Sequence, residues 1–482
     1  MAEVPIPRRA ATDLARDIRE GTLSPVTVVE ATLERISDRN DRTNAFVTVT
    51  ADRAREAARR AEDAVASGEP LGPLHGVPVA IKDLTDVAGV RTTRGSLLFE
   101  DAVAETSDPV VERLEAAGAI VVGKTNTPEF GLGCTTDNRV VGPTGTPFAP
   151  DRIAGGSSGG SAAALADGLV PLAQGSDAGG SIRTPASCCG VLGMKPSFGR
   201  VPAAGRPDAF AHHTPFIHLG PLARTVEDAA LALEVMAGPH PDDPFSLPTP
   251  AESYANAIDA GIEGVRIATS PDLGVYPVSE AVRTVIDDAV PAFETAGATV
   301  ERADPAFGLD HDEILETYYT FATVLWQSLF DGLEAEHGLD PWGEDRSRLG
   351  ESTVEAAAAV EPVSAREYKE ADRARTRVYD AIQELLADYE LLVTPTLAVP
   401  PFPIGELPTE VEGRPIEPRR GWLLTQPFNL TGHPVASVPA GFTDEGLPVG
   451  IQVVGRRYAD GDVLAAAAAV ERVRPWGDRY PA

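Results

Sequence analysis

Lysine is almost missing from this chain. Of 41 basic residues in 482, only Lys82, Lys124, Lys195 and Lys369 are lysine, and the remainder are arginine. Positive charge as a whole is short, because 72 acids leave a formal net charge of −31. That balance excludes an extended nucleic-acid-binding surface. Acid-rich, lysine-poor chains suit high salt, where screening over about 3 Å at 1 M mutes self-repulsion. A salt-accumulating source is therefore expected, and full stability and activity in dilute buffer would count against it. Cysteine is scarce as well. Cys134, Cys188 and Cys189 are odd in number with two adjacent, which excludes a disulfide framework and fits a reducing cytoplasm. They are expected as small buried hydrophobes. No apolar run reaches transmembrane length. No apolar stretch follows Arg8-Arg9, so no signal peptide and no membrane association is expected. The eight histidines show no metal-ligand spacing such as H-x-x-x-H, so neither a metal nor another cofactor is expected.

What the chain does have is a glycine- and serine-rich stretch from Gly155 to Lys195. Two turns, Gly155-Gly156-Ser157-Ser158-Gly159-Gly160 and Gly179-Gly180-Ser181, bracket a short Ala-rich segment. Glycine permits positive φ and close approach of another backbone or a ligand. A turn that offers a serine hydroxyl among free backbone N–H groups suits attack on a carbonyl and retention of the resulting oxyanion. A single turn of this kind reads most simply as a loop; two, each centred on serine, point to chemistry.

Around this stretch the pattern is α/β. Ser24-Pro25 starts a helix, with Ser as N-cap and Pro at the first helical position. Residues 45–49 read as a strand and 51–67 as a polar helix. The apolar run 76–83 ends in Lys82-Asp83, and helix 109–117 leads to a strand at 119–124. Helix 158–167 leads to a third strand at 169–173. This alternation implies a largely parallel buried sheet there, with sites outside the carboxyl ends of its strands. Residues 240–262 read as a connection, followed by strand 265–269, helix 280–296 and strand 299–301. From about 308 to 390 the chain reads as helical and acidic, with aromatics at Tyr318, Tyr319, Phe321, Trp326 and Phe330 for core or pocket wall. Strand 391–395 and the segment from Phe428 to a helix at 462–473 return to the sheet. One large domain is expected: a helical covering over 1–67, a catalytic core over 68–240, a variable, mainly helical substrate-side region over 241–390, and a C-terminal return over 391–482.

A serine nucleophile needs a base. Gly155-x-Ser157-x-Gly159 matches a nucleophile elbow with His433 downstream, but such an elbow carries one exposed serine, not a doublet. It also leaves the second turn and Lys82 unused. Lysine is the better base, since it can lose its proton when buried and arginine cannot. Its ordinary pKa is about 10.4, and bringing it to neutral pH costs about 4 kcal/mol, within what a packed core supplies.

These segments resemble the amidase signature family. The resemblance is carried by residues 155–196, the strand Val77-Pro78-Val79-Ala80-Ile81-Lys82-Asp83, and the stretch Gly220 to Asp228. It is also carried by Phe428-Asn429-Leu430-Thr431-Gly432-His433-Pro434 and Gly446-Leu447-Pro448-Val449-Gly450-Ile451-Gln452. It covers most of the chain and is weakest at about 240–390. It implies an α/β fold with a large mixed central β-sheet covered by helices on both faces. It also implies a triad: Ser181 as nucleophile, Ser157 as a bridging serine in cis peptide linkage with Gly156, and Lys82 as base. The N–H groups of Ala178, Gly179, Gly180 and Ser181 match an oxyanion hole, and Ser158 matches a supporting serine. Asp177 and Arg183 fit a structural ion pair, with substrate contact by Arg183 the lesser reading. The implied activity is hydrolysis of a small-molecule amide through an acyl-enzyme, with no nucleic acid and no membrane as partner and a homodimer left open.

The same fold and triad serve the glutaminase subunit of tRNA-dependent amidotransferases. There an arginine in an Arg-Arg-Ile-Met-Leu-Gly stretch and an aspartate before the final Asn-Leu-x-Gly hold the glutamine. Here those regions read Ser347-Arg348-Leu349-Gly350 and Gly421-Trp422-Leu423, which disfavours glutamine. A non-catalytic binding protein on this fold is a further alternative, against which Lys82, Ser157 and Ser181 speak together. The substrate pocket is expected between the 308–390 segment and residues near Phe130 and Trp422.

Overall fold

In the computed structural model, residues 5–358 and 362–481 are described. Ser24 caps the helix Pro25–Thr43, its hydroxyl accepting from the N–H groups of Val26 and Thr27. That helix buries Val28, Val29, Leu33 and Ile36 on one face and stops where Asn44 turns left-handed. The helix Ala51–Ser67 buries Ala54, Ala58 and Ala61 and ends at Gly68, also left-handed. Pro291 splits the helix expected over 280–296 into Glu280–Ala289 and Pro291–Thr295, because proline cannot carry the hydrogen bonds through.

Eleven strands form one sheet, labelled in chain order. They are β1 (Phe46–Val49), β2 (Pro78–Lys82), β3 (Ile120–Thr125), β4 (Leu172–Asp177), β5 (Leu192–Lys195), β6 (His218–Ala223), β7 (Arg266–Thr269), β8 (Thr299–Arg302), β9 (Leu391–Pro395), β10 (Val435–Phe442) and β11 (Pro448–Gly455). Their spatial order is β1-β3-β2-β4-β6-β5-β10-β11-β9-β7-β8. Strands β3, β2 and β4 run parallel, as do β9, β7 and β8. Between them, β6, β5, β10 and β11 pair antiparallel with their neighbours, so the sheet is mixed. Every residue of β2 and of β11 is buried, the pattern of strands covered on both faces.

The third strand lies later than expected, at Leu172–Asp177 instead of 169–173. Pro171 stands at its threshold, where a missing N–H does no harm to the ladder. This offset places Ser176 and Asp177 on the strand itself, one position from the second serine turn. Strands β5 and β6 leave no pattern in the sequence: β5 has four residues, and Gly220-Pro221 interrupts the periodicity of β6. The helix Gly159–Ala166 is buried at all eight positions, and its small residues let it lie close against the sheet. No helix among the described residues is long and apolar enough to cross a membrane.

Candidate active site

Lys82 is the last residue of β2, fully buried, and register with β3 and β4 holds it beside the end of β4. Its Nζ lies 2.6 Å from Ser157 Oγ, 3.0 Å from Ser176 Oγ and 3.5 Å from the carbonyl oxygen of Ser176. Burial lowers the amine to about 7, with Asp177 pulling the other way. No carboxylate pairs with it among the described residues. The contrast with Lys124 is direct: that amine is equally buried but stands 3.1 Å from Asp83.

The Gly156–Ser157 peptide bond is cis. Ser158 ties the two serine turns together: its N–H donates to the carbonyl of Ser181 at 3.1 Å. Its hydroxyl exchanges hydrogen bonds of 3.3 Å with the backbone of Ser176. Ser157 is buried and Ser181 partly exposed. Among the described residues Ser181 Oγ makes no hydrogen bond, so Lys82 and Ser157 are in contact while Ser181 is not yet joined to them.

Asp177 organises the turn that carries Ser181. Its carboxylate accepts from the N–H groups of Gly180 at 2.8 Å and Ile182 at 3.1 Å. Arg183 faces it with Nε and Nη2, each at 3.0 Å, and both side chains are fully buried. Burial alone would raise the Asp177 carboxyl, but Arg183, backed by Lys195 and Asn429, holds it well below the usual carboxylate range. Arg183 also donates to Gln452 Oε1 at 2.8 Å and Asn429 Oδ1 at 2.6 Å. The Phe428–Pro434 and Gly446–Gln452 motifs thus brace this ion pair. Arg183 is fully buried and does not line the cavity described below.

Of the four oxyanion donors expected, Gly180 is already engaged by Asp177. The N–H groups of Ala178, Gly179 and Ser181 carry no hydrogen bond to the described chain. Gly180 has φ +124°, and a Cβ there would stand 2.2 Å from Thr425 Oγ1, so only glycine fits. Thr425 Oγ1 in turn donates to the carbonyl of Gly179 at 2.6 Å, fixing the peptide plane that aims the neighbouring N–H. Tyr318 covers the same spot: a Cβ on Gly179 would meet its hydroxyl at 2.3 Å.

His433 is not part of this site. Its ring nitrogens are spent on Thr431 and Gln383, and burial lowers it to about 3. Among the described residues no three potential ligands gather as a metal site would need.

Next to the serine turns lies a cavity of about 420 Å³. The strip Gly133–Thr136 is a wall shared by the cavity and the turns. It lines the cavity, and its Cys134 and Thr135 backbones would stand 2.9 Å from a Cβ on Gly156. The helical segment supplies Tyr319, Trp326 and residues 350–353, while Arg420 closes another side. Residues near Phe130 and Trp422 line it as expected, namely Pro128, Glu129, Leu132, Arg419 and Arg420, while those two rings themselves do not. Trp422 is fully buried, packed edge-on against Phe402 with centroids 5.1 Å apart, and Phe130 packs on Phe99 and Phe330. Cys188 and Cys189 are buried as expected, but Cys134 is a cavity residue. Sequence reasoning missed Ser176, Thr425 and Arg420, whereas Tyr318 belongs to the aromatic cluster expected as core or pocket wall. Only Ser176 had a local signal, as the serine directly before Asp177 in the second turn.

The sequence model of the family described as Amidase matches residues 27–464. An acylamidase of Rhodococcus erythropolis is 39% identical over 479 residues, covering 98% of this chain and 97% of the relative. A glutamyl-tRNA(Gln) amidotransferase subunit of Carboxydothermus hydrogenoformans is 36% identical over 483 residues, covering 96% of each. The crystal structure of a bacterial aryl acylamidase of the amidase signature family superposes with a TM-score of 0.94 at 37% identity, covering 99% of this chain and 98% of that one.

Proposed function

The chain belongs to the amidase family and is an amide-hydrolysing enzyme, and from that premise we propose that it works through a Ser181 acyl-enzyme with Ser157 and Lys82 as proton relay. The observation that carries this reading is the 2.6 Å contact between Ser157 Oγ and a fully buried Lys82 amine lowered to about 7. An amine with that pKa is neutral in a large fraction of molecules at pH 7 and accepts a proton there.

Substrate enters beside the Gly133–Thr136 wall. Ser181 Oγ turns toward Ser157 Oγ and closes the open link, a tightening common when a free site fills. Lys82 takes the proton of Ser157, Ser157 takes that of Ser181, and Ser181 Oγ attacks the amide carbon. The N–H groups of Ala178, Gly179 and Ser181 hold the oxyanion; in comparable sites, losing one such donor costs roughly 3–4 kcal/mol. The relay then returns the proton to the leaving nitrogen as the C–N bond breaks. Water, deprotonated along the same path, releases the acid. Asp177 and Arg183 hold the turn in shape and touch no reacting atom.

Release of ammonia from glutamine is the lesser reading. Trp422 stands where an aspartate would be needed and is fully buried, donating to the carbonyl of Pro418 at 3.1 Å. Arg348 is committed to Asp345 and to the carbonyls of Leu97 and Leu98. Hydrolysis of a simple aryl amide by Ser181→Ala tests the proposal. Turnover is expected to disappear with circular dichroism unchanged, and covalent labelling by an amide-directed probe is expected to disappear with it. Near-normal turnover in that variant would end the reading.

A further inference from the structure

The cavity contains a buried cation with no carboxylate paired to it. Arg420 is 7% exposed and lines the space. Its guanidinium carbon stands 5.6, 5.7 and 5.4 Å from the ring centres of Tyr318, Tyr319 and Trp326, a partial aromatic cage. Its Nη2 donates to the carbonyl of Leu132 and its Nη1 approaches Cys134 Sγ, each at 3.2 Å. Its Nε, itself buried, has no hydrogen-bond partner among the described residues. No carboxylate lies within ion-pair distance of the guanidinium among the described residues. Glu417, three residues earlier, spends its carboxylate on the Tyr319 hydroxyl and on the backbone N–H groups of Arg419 and Arg420. Burial pushes the Cys134 thiol up, so that sulfur stays neutral and does not balance the guanidinium.

Other buried guanidiniums in this protein are served differently. Arg183 has Asp177, Arg200 has Asp460, and Arg224 donates to four backbone carbonyls. A buried, permanently charged group that is under-partnered is costly, and Nη1 and Nη2 of Arg420 each carry a second N–H beyond the one spent on Cys134 or Leu132. Aromatic faces stabilise the charge but accept no in-plane hydrogen bond. The cavity's other buried charge, Glu129, is occupied by Ser96 Oγ at 2.6 Å and by the N–H of Gly350 at 2.8 Å. Arg139, also on the lining, is turned to the carbonyls of Ser347 and Leu349.

We propose that Arg420 is the specificity residue of this site: it receives a carboxylate carried by the substrate at the end remote from the scissile amide. The inference rests on the acyl-enzyme reading above, since it treats the cavity as the place where the amide's far end lies. Placement supports it. Cys134, which touches the guanidinium, belongs to the strip that packs on Gly156, and Tyr318, which faces it, covers Gly179. The cage therefore connects to both serine turns. In a chain carrying a net charge of −31, this fixed cation is what gives an anionic substrate a reason to enter.

The test uses the full-length enzyme and two matched series of anilides. In one series the far end of the acyl chain is methyl, carboxylate or ammonium; in the other the same three groups stand on the aniline ring. The wild type is expected to prefer carboxylate over ammonium in kcat/KM at least tenfold in one series. Arg420→Gln is expected to abolish that preference, mainly through KM, and Arg420→Lys to restore part of it. A wild type that treats the three groups alike, or favours ammonium in both series, overturns the proposal, and this needs no variant to fold. An unchanged carboxylate-to-methyl ratio in a folded Arg420→Gln also overturns it. Ser181→Ala on the methyl anilides separates the two claims: turnover that survives there removes the acyl-enzyme reading, and this inference with it. Loss of turnover there together with no charge preference in the wild type removes this inference alone.

Discussion

The serine turns and the helical wall lie on either side of the Gly133–Thr136 strip and are built on opposite principles. In residues 155–183 function comes from backbone: a cis peptide, glycines no other residue can replace, and N–H groups aimed by short local bonds. In the wall from Tyr318 to Thr353, with Arg420, it comes from side chains brought together over long distances in sequence. The first arrangement tolerates almost no change because each atom is fixed by several others. The second tolerates exchange, since a ring or a guanidinium can be swapped without disturbing the reacting groups. On the proposed mechanism, catalytic power and substrate choice are separable, and substitutions in the two regions should fail differently.

The sharpest break of that contrast comes from Lys82→Ala. Removing the amine in contact with Ser157 is expected to lower kcat by more than about a thousandfold, within the range of a general base plus an activated nucleophile. A KM within a few-fold of wild type, measured by steady-state kinetics on an aryl amide, would place the loss in the chemical step. Next in size is Asp177→Asn. It leaves the Arg183 guanidinium buried and unpaired, an expected loss of roughly 3–5 kcal/mol in denaturant unfolding. It also replaces one of the two acceptor oxygens by an NH2 facing the N–H of Gly180 or of Ile182, so kcat should fall along with stability. Tyr319→Phe, in the wall, is the small case. The ring stays, and only the hydroxyl's 3.0 Å bond to Glu417 is lost. That is about 1 kcal/mol, read as a KM change of a few-fold with kcat nearly unchanged. If Tyr319→Phe moved kcat as strongly as Asp177→Asn, the division between the regions would be false.

The same division explains what could be read from the sequence. Lys82, Ser157 and Ser181 announced themselves because their chemistry is carried by local patterns: an apolar strand ending in lysine, and serine set among glycines. Asp177 and Arg183 were legible for the same reason, being six residues apart on one turn. The mixed sheet was legible at its parallel flank, where strands alternate with helices. Its antiparallel middle was not, because β5 is only four residues long and β6 is interrupted by Gly220-Pro221. Arg420 gave no signal. One arginine among many in a Pro-rich stretch becomes distinctive only when Tyr318 and Trp326, about a hundred residues earlier in the chain, fold around it. Trp422 marked the place without forming the wall: the ring fills the core, while its neighbours Arg419 and Arg420 line the cavity.

The pH dependence of kcat/KM tests the central claim most directly. Lys82 must be neutral to act, and burial places its pKa at about 7, so it is charged and inert below that value and active above it. The two buried histidines that approach Lys195, His218 and His433, are lowered out of this window by burial and do not compete for the assignment. Between pH 5 and 9, kcat/KM is expected to rise with a single apparent pKa near 7 and then level off. A rate already at its plateau at pH 5.5 would mean that the base is not a neutral lysine, and would contradict the account.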